Sequence, residues 1–575
     1  MKIKGRTTYN GNIFETVLRN RGIEDIELFL KPSPIYVLDK RIKEKIEEGI
    51  KLLIKHLEEG NLIIMIVDSD VDGMTSSAIL YKNIKRAYPN ANLKYVFHNN
   101  KAHGFTEGIM GYIELKEPKL IICADAGTND FEQIGDLKFQ GIDVLVIDHH
   151  EIDTPSDDCI LINNQLDNCE NDKLTGAGMA YRFCEEFNKY LGLPDCDDLL
   201  ELTMMGLIGD SADVINNEVR YLCDKGKSSI KQEFIMRAIN EKKYNIHELS
   251  YVDISFGVIP LINAVCRIGT IKEKEIVFKA LADIDTDFEI VLQKKKLNKE
   301  TRKYEMKDIT FDLYNYALDI CKTVKTRQDK FVDNFIKKTE IDNSGDVIVV
   351  TTSEDLLGLT GLIANKIASE YSKPTLVLQE LFNSFSGSGR GCEKIMPSLK
   401  DWCEKTGLFD LVQGHSNAHG VILPKKNIDK LFELTRDIGE KQEIEYEVDF
   451  IYDDCMPTRD IEIIHKGRDV FGGGNVKEPQ FGIVNMVVPK ENIQLKGNST
   501  LKIYYKGVYF TKFKSSKEEY EAIVGNFNSH VTFNLVCRVS VNFYNGNKYC
   551  EGNISAFEYN VDKQENEDED FEIYF

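Results

Sequence analysis

The sequence predicts an α/β protein: a parallel α/β domain first, a second α/β domain joined to it by a helical linker, and a C-terminal β-barrel. Three observations predict this. Short apolar runs alternate with helical patterns through the first half, as in right-handed βαβ units. A second such series starts at residue 345. Residues 445–560 instead alternate apolar and polar positions between turns at Gly472-Gly-Gly-Asn475, Gly497-Asn498 and Asn545-Gly546-Asn547.

The 575 residues suffice for several domains, and a net charge of −22 argues against a passive, nonspecific coat on DNA. It does not exclude a nuclease, whose metal site is acidic and whose basic contacts are local. The 13 cysteines form no Cys-x-x-Cys pair, the pattern of reduced thiols in a cytosol. The first residues lead into polar sequence with no apolar leader, and no run of 18 apolar residues occurs. A soluble, cytoplasmic chain with no membrane partner is the expectation.

In chain order, residues 1–39 read as an irregular arm. Within residues 40–59, Ile42, Ile46, Ile50, Leu53, Ile54 and Leu57 share one helical face. Residues 62–67 form a fully apolar strand that ends in Asp68-Ser-Asp70-Val-Asp72-Gly73, with a helix expected from about Ser76. Alternate carboxylates closed by a glycine make an oxygen-rich cup for a hard cation. An EF-hand fails here, because a strand precedes the loop and Ile79 stands where the twelfth-position Glu belongs.

The unit then repeats. Residues 93–97 lead into His98-Asn-Asn-Lys101-Ala-His103-Gly104, residues 120–124 into Asp125, and residues 144–147 into Asp148-His149-His150. At the carboxyl ends of parallel strands such groups point into the ligand crevice. Carboxylate and imidazole together suit Mn²⁺, Zn²⁺ or Fe. Buried carboxylates repel unless a cation lies between them, so acids on successive strand tips point to metal. A further acid, Asp210, ends the apolar stretch 199–208, and Asp213 beyond it reads as a cap.

These motifs carry a resemblance. Asp68-Ser-Asp-Val-Asp72-Gly, Cys123-Ala-Asp125-Ala-Gly, Ile147-Asp-His-His150 and Gly209-Asp210 resemble the four motifs of the DHH phosphoesterase superfamily. Asn163-Asn-Gln165, Leu174-Thr-Gly-Ala-Gly178 and Ile259-Pro-Leu-Ile-Asn263-Ala-Val-Cys-Arg267 resemble its RecJ branch, the single-strand-specific DNA exonucleases. Leu261 and Cys266 depart from that branch, which has Arg and Gly there; Lys101 replaces an Arg. Ser386-Gly-Ser388-Gly389-Arg390-Gly391 and Gly414-His415-Ser-Asn-Ala418-His419-Gly420 resemble the DHH-associated domain, with Gln413 for the usual Gly. Gly473-Gly-Asn475-x-x-x-Pro479 matches the OB-like domain of the branch.

The resemblance implies a DHH catalytic domain at 40–284, a helical linker at 285–343, a DHH-associated domain at 344–443, an OB-like domain at 444–560 and an acidic tail at 561–575. It implies a metal-dependent 5′ to 3′ exonuclease of single-stranded DNA, working in repair, recombination or replication. Two ions, Mn²⁺ with Mg²⁺ possible, would be held by Asp68, Asp70, Asp72, Asp125, His149 and Asp210, one carboxylate bridging them. Asp148, His150 and Arg267 would serve catalysis, His150 at the scissile phosphate. Lys101, Ser388, Gly389, Arg390 and His415 would hold phosphates, and Lys502 and Tyr504 the strand on the OB-like domain. Lys294, Lys295, Lys296, Lys299, Arg302, Lys303 and Lys307 crowd the linker, as a solvated helix face or a wall that tracks phosphates. The tail carries seven acids and one Lys and ends in Phe571-Glu-Ile573-Tyr574-Phe575, a pattern that suits docking to a protein partner. The alternatives are a DHH hydrolase of short RNA or cyclic dinucleotides, and a catalytically inactive replisome scaffold.

Overall fold

The structure, a computed structural model, describes residues 1–7, 12–34, 40–99, 101–154, 156–166, 169, 171–297, 302, 304–392, 395–438, 445–497, 499–525, 529–544 and 547–560. The tail, Lys299 and Lys303 lie outside the described residues. The chain divides into two units: residues 27–442 with 472–475, and residues 1–26, 443–471 and 476–575.

The first long helix of the larger unit is Lys40–Glu58, which buries Ile42, Ile46, Ile50, Leu53 and Leu57. A five-stranded parallel sheet follows, ordered Leu93–Phe97, Ile63–Val67, Leu120–Ala124, Asp143–Asp148, Ile160–Asn163. The chain starts in the strand Ile63–Val67 and runs outward in both directions. The topological switch point therefore lies between Ile63–Val67 and Leu120–Ala124, where such sheets open a crevice at their carboxyl ends. Asp68 and Asp125 are the residues that follow those two strands.

The helix after the first strand spans Val71–Ala87, so it starts five residues before the sequence suggests. Asp70 is its N-cap and accepts a hydrogen bond from the Gly73 N–H at 3.0 Å. Alternating acids look like a loop by composition, but an aspartate cap and an acid in the first turn favour the helix start. Asp213 accepts from the Ile215 N–H at 3.0 Å and closes a turn; the cap of the helix Asn217–Ser228 is Asn216.

The linker region differs from expectation. Glu289–Leu297 and Tyr304–Asp312 pair as an antiparallel ribbon, and only then does the helix Leu313–Lys338 begin. Ile290, Leu292, Ile309 and Phe311 alternate with exposed residues, a period-two pattern that the lysines mask. Lys294 turns back to Asp319 at 2.6 Å, so it is no free phosphate contact. The second α/β domain has the sheet order Leu411–His415, Ala418–Pro424, Ser384–Arg390, Thr375–Glu380, Ile348–Thr352, with an apolar cluster on each face.

Among the described residues one helical stretch, Tyr251–Ile268, is long and apolar enough to cross a membrane, yet 56% of it is buried inside the protein. Gly472, Gly473 and Gly474 pack on Val252, Val214 and Ala212 of this unit, so they are not a turn of the OB-like domain.

The smaller unit carries a seven-stranded mixed sheet, ordered Phe450–Asp453, Phe481–Pro489, His530–Tyr544, Asn547–Asn560, Val508–Phe513, Thr500–Tyr505, Ile493–Lys496. The first residues are no loose arm. Lys2–Gly5 pairs in parallel with Glu445–Val448, and the helix Ile13–Arg19 follows. Arg21 meets Asp449 through both guanidinium nitrogens, at 2.5 and 2.8 Å, with side chains only 7% and 3% exposed. Removing one partner of such a pair strands a buried charge. Arg21→Ala is expected to destabilise this unit by about 3 kcal/mol or more, read as an earlier transition in thermal unfolding of the full chain.

Candidate metal centre

The acids and imidazoles from separate strand tips converge. Asp68, Asp70 and Asp125 bring ligand atoms within 4.8 Å of one another, and so do Asp72, His149 and Asp210, and Asp125, Asp148, His149 and His150. His149 Nε2 stands 3.2 Å from Asp125, 3.6 Å from Asp210 and 3.9 Å from Asp72. All six residues read as ligands from sequence therefore share one crevice. Asp72 and Asp125 are buried, and Asp125 Oδ1 has no hydrogen-bond partner.

Electrostatics follow from that crowding. Burial, then the charges of Asp72 and Asp70, pushes the Asp125 carboxyl well above its ordinary range. Burial and the same two acids raise Asp210 to about 7. Burial raises Asp72, against the pull of His149, and lowers His149 itself. An orphaned acceptor among carboxylates that cannot all ionise fits a divalent cation, which supplies the missing charge.

Three donors orient Asp72. Thr175 Oγ1 and the N–H groups of Gly176 and Ala177 donate to its carboxylate at 3.0, 2.8 and 3.0 Å. The carboxylate thus sits on the first turn of the helix Gly176–Leu191, where free N–H groups favour an anion. The fit is close enough to require glycine twice. A Cβ on Gly176 would lie 2.5 Å from Asp125 Cβ, and one on Gly206 would lie 2.3 Å from Asp72 Oδ1.

Asp148, fully buried, is taken up by its neighbours' donors. It accepts from Thr128 Oγ1 at 2.6 Å, from the His149 N–H at 2.7 Å and from His150 Nδ1 at 2.7 Å. Despite its burial, the bonds from His150 and Thr128 hold its carboxyl below the ordinary range, while Asp148 raises His150 to about 9. Asn163 donates to the His150 carbonyl and to Thr128, both at 2.9 Å.

On the cleft side, Asn263 Oδ1 accepts the Val71 N–H at 3.1 Å and pins the acidic loop. Arg267, four residues on, and Lys101 and Arg390 form a cationic group. Lys101 is lowered by desolvation, then by Arg267 and Arg390. Arg390 is lowered by burial, then by Arg267. Ser388 Oγ lies 2.9 Å from Thr360 Oγ1, and Gly389 packs under the His419 ring. His415 is exposed at the end of its strand, opposite Ala418. Lys502 and Tyr504 belong to the smaller unit; Tyr504 is exposed and leans on Tyr509, whereas Tyr505 and Lys506 bind Asp454 and Phe510 is core.

Sequence reasoning named several residues without giving them a part in the site. His103 bonds Asp68 through Nδ1, and Thr175, Gly176 and Ala177 hold Asp72. Thr175 before a helical pattern was a readable signal of a helix start. Nothing in spacing paired it with an acid about a hundred residues away.

A model of the DHH family, N-terminal domain, matches residues 62–207. The putative SPbeta prophage-derived single-strand DNA-specific exonuclease YorK of Bacillus subtilis (strain 168) is 30% identical over 571 residues, 95% of this chain and 96% of that protein. The chain belongs to the RecJ-like branch of the DHH family. The single-stranded-DNA-specific exonuclease RecJ of Escherichia coli (strain K12) is 22% identical over 417 residues, 68% of each chain. The crystal structure of RecJ in complex with Mn²⁺ from Thermus thermophilus shares the fold, with a TM-score of 0.72 at 18% identity over 95% of this chain and 76% of that one. In this RecJ-like chain Leu261 and Cys266, the two departures within the segment Ile259–Arg267, are both buried, so neither reaches the cleft.

Gly206→Ala is expected to leave a folded chain, destabilised by about 1–3 kcal/mol from overpacking. Displacement of Asp72 should weaken Mn²⁺ binding at least several-fold, measured by titration calorimetry.

Proposed function

We propose that this protein is a divalent-metal-dependent exonuclease of single-stranded DNA that works by a two-metal mechanism. The observation that carries the reading is the pair of adjoining ligand sets, Asp68, Asp70 and Asp125 beside Asp72, His149 and Asp210. Asp125, a member of the first set that stands 3.2 Å from His149 of the second, would be the carboxylate shared between the two ions. When bound, two ions supply an activated water and stabilise the leaving oxygen. Mn²⁺ suits a site that mixes imidazole with carboxylates, and Mg²⁺ substitutes for it.

The chain's own residues do the rest. Asp72, locked by three donors, keeps its ligand geometry without reorganisation. Asp148 holds Nδ1 of His150, so the ring presents Nε2–H and a positive charge to the scissile phosphate. Arg267, Lys101 and Arg390 bind that phosphate and its neighbour, with Ser388, Gly389 and His415 completing the wall; on the smaller unit, Lys502 and Tyr504 are a separate contact for single-stranded DNA. Among the described residues no carboxylate forms an ion pair with these three cations, so their charge is left for phosphate. Polarity is 5′ to 3′, the setting is DNA repair, recombination or replication, and the compartment is the cytoplasm. The acidic tail recruits a protein partner.

Digestion of end-labelled DNA and RNA single strands with Mn²⁺ and with EDTA tests the reading. Release of mononucleotides from DNA only with metal is expected; no cleavage of single strands with metal would sink it.

Asp125 adopts a left-handed backbone, φ 65°, which Asn tolerates well. Asp125→Asn should abolish cleavage and the rise in melting temperature that Mn²⁺ gives the wild type. Without metal it should melt at or above the wild type, because one repelling acid is gone. A variant that keeps the wild-type rate would remove Asp125 from the site.

Arg390→Ala should weaken strand binding about tenfold and flatten the dependence of log affinity on log salt by roughly one phosphate contact. Fluorescence anisotropy across a salt series, with metal omitted, reads both; an unaltered slope returns Arg390 to a structural role.

A further inference from the structure

The helix Ile259–Ile268 is buried on nearly every side, with Ile259, Leu261, Ile262, Ala264, Val265 and Cys266 all in the core. Its accessible positions are narrow. Pro260, Asn263, Arg267 and the last residue, Ile268, are part-exposed, and the spacing of three and four residues puts the first three on one stripe. That stripe faces the metal centre, because Asn263 holds the Val71 N–H and Arg267 feels Asp70.

The stripe continues one turn further. Before the helix, Ile254–Val258 is a π-helix, a turn widened by one residue. Phe256 stands four residues before Pro260, in line with it, and is 76% exposed. Gly257 next to it is buried against Tyr244, where a Cβ would lie 2.4 Å from the ring, so that side of the turn is filled. A bare aromatic side chain is thus held at the end of the same stripe that carries Asn263 and Arg267.

We propose that Phe256 is a stacking platform for an unpaired base of the bound strand, several nucleotides from the scissile phosphate. The inference rests on the single-strand nuclease reading above. Eleven residues of helix place Phe256 about 16 Å from Arg267, roughly five nucleotides at a stacked rise of 3.4 Å. A strand whose phosphate lies at Arg267 and Lys101 reaches Phe256 only if it is longer than a dinucleotide. Every base offers a π-face, so the contact is indifferent to sequence. A duplex hides its base faces in its own stack, so the platform takes only unpaired DNA. A protein partner would need more than this one residue, and nothing else on the stripe is apolar and open except Pro260.

The test is a kinetic split by length, with Mn²⁺ present. Phe256→Ala should raise KM about tenfold on single strands of roughly 20 nucleotides and leave kcat unaltered. KM for a dinucleotide should stay at the wild-type value, and Phe256→Trp should restore the long-strand KM. Because no phosphate contact is lost, the salt dependence of long-strand binding should keep its slope, unlike that of a cation variant. A long-strand KM within twofold of wild type overturns the platform. So does an equal loss on the dinucleotide, which would mean a disturbed metal centre, or a change in sedimentation that makes Phe256 a contact between two copies. A wild-type chain that cuts no single strand overturns the nuclease reading and this inference together, whereas an active wild type with an indifferent Phe256→Ala overturns the platform alone.

Discussion

Buried carboxylates that face one another are held together here by backbone, not by attraction. Without a cation Asp72 and Asp125 each resist ionisation, and Asp210 shares their difficulty. The fold keeps them close through two devices. One is the sheet's switch point, which sets Asp68 and Asp125 side by side as neighbouring strands end. The other is the bare start of the helix Gly176–Leu191, whose N–H groups stabilise Asp72 while its missing Cβ lets the helix approach Asp125. A site of this kind stores its repulsion in the apo chain and releases it when the cation arrives, so metal affinity and apo stability oppose each other.

Much of this was legible in the sequence because it was local. Apolar runs gave away the strands Ile63–Val67, Leu120–Ala124 and Asp143–Asp148, and each run ended on the acid or imidazole that now lines the crevice. What was not legible was either long-range or masked. His103 reaches Asp68 across a loop, and Asn263 reaches Val71 from a helix nearly two hundred residues later. The ribbon Glu289–Leu297 and Tyr304–Asp312 went unseen because its lysines hide a two-residue period. The helix start at Val71 was placed late because the same aspartates that suggest a metal loop also make a good cap and first turn.

The two histidines of the motif, adjacent in sequence, are driven to opposite charge states by different neighbours. His149 is desolvated among acids and lowered, which suits a neutral ligand; His150 is bonded to Asp148 and raised to about 9. Asp148 thereby fixes the ring of His150 through Nδ1. Thr128 and Asn163 extend that chain of hydrogen bonds, so the ring's setting depends on buried groups beyond Asp148.

The smaller unit is discontinuous: residues 1–26 complete a sheet-bearing body made otherwise of residues after 442. During synthesis those first residues leave the ribosome with no partner strand. At 5–20 residues per second, the roughly 400 residues between them and Glu445 take about 20–80 s to appear. The intervening unit, which includes the metal centre, has all its own strands by then and can fold first. The strand Lys2–Gly5 and the Arg21 side chain are therefore the last early-made parts to find their places, and the polar character of Lys2 and Lys4 on that waiting edge strand guards it against pairing with the wrong neighbour.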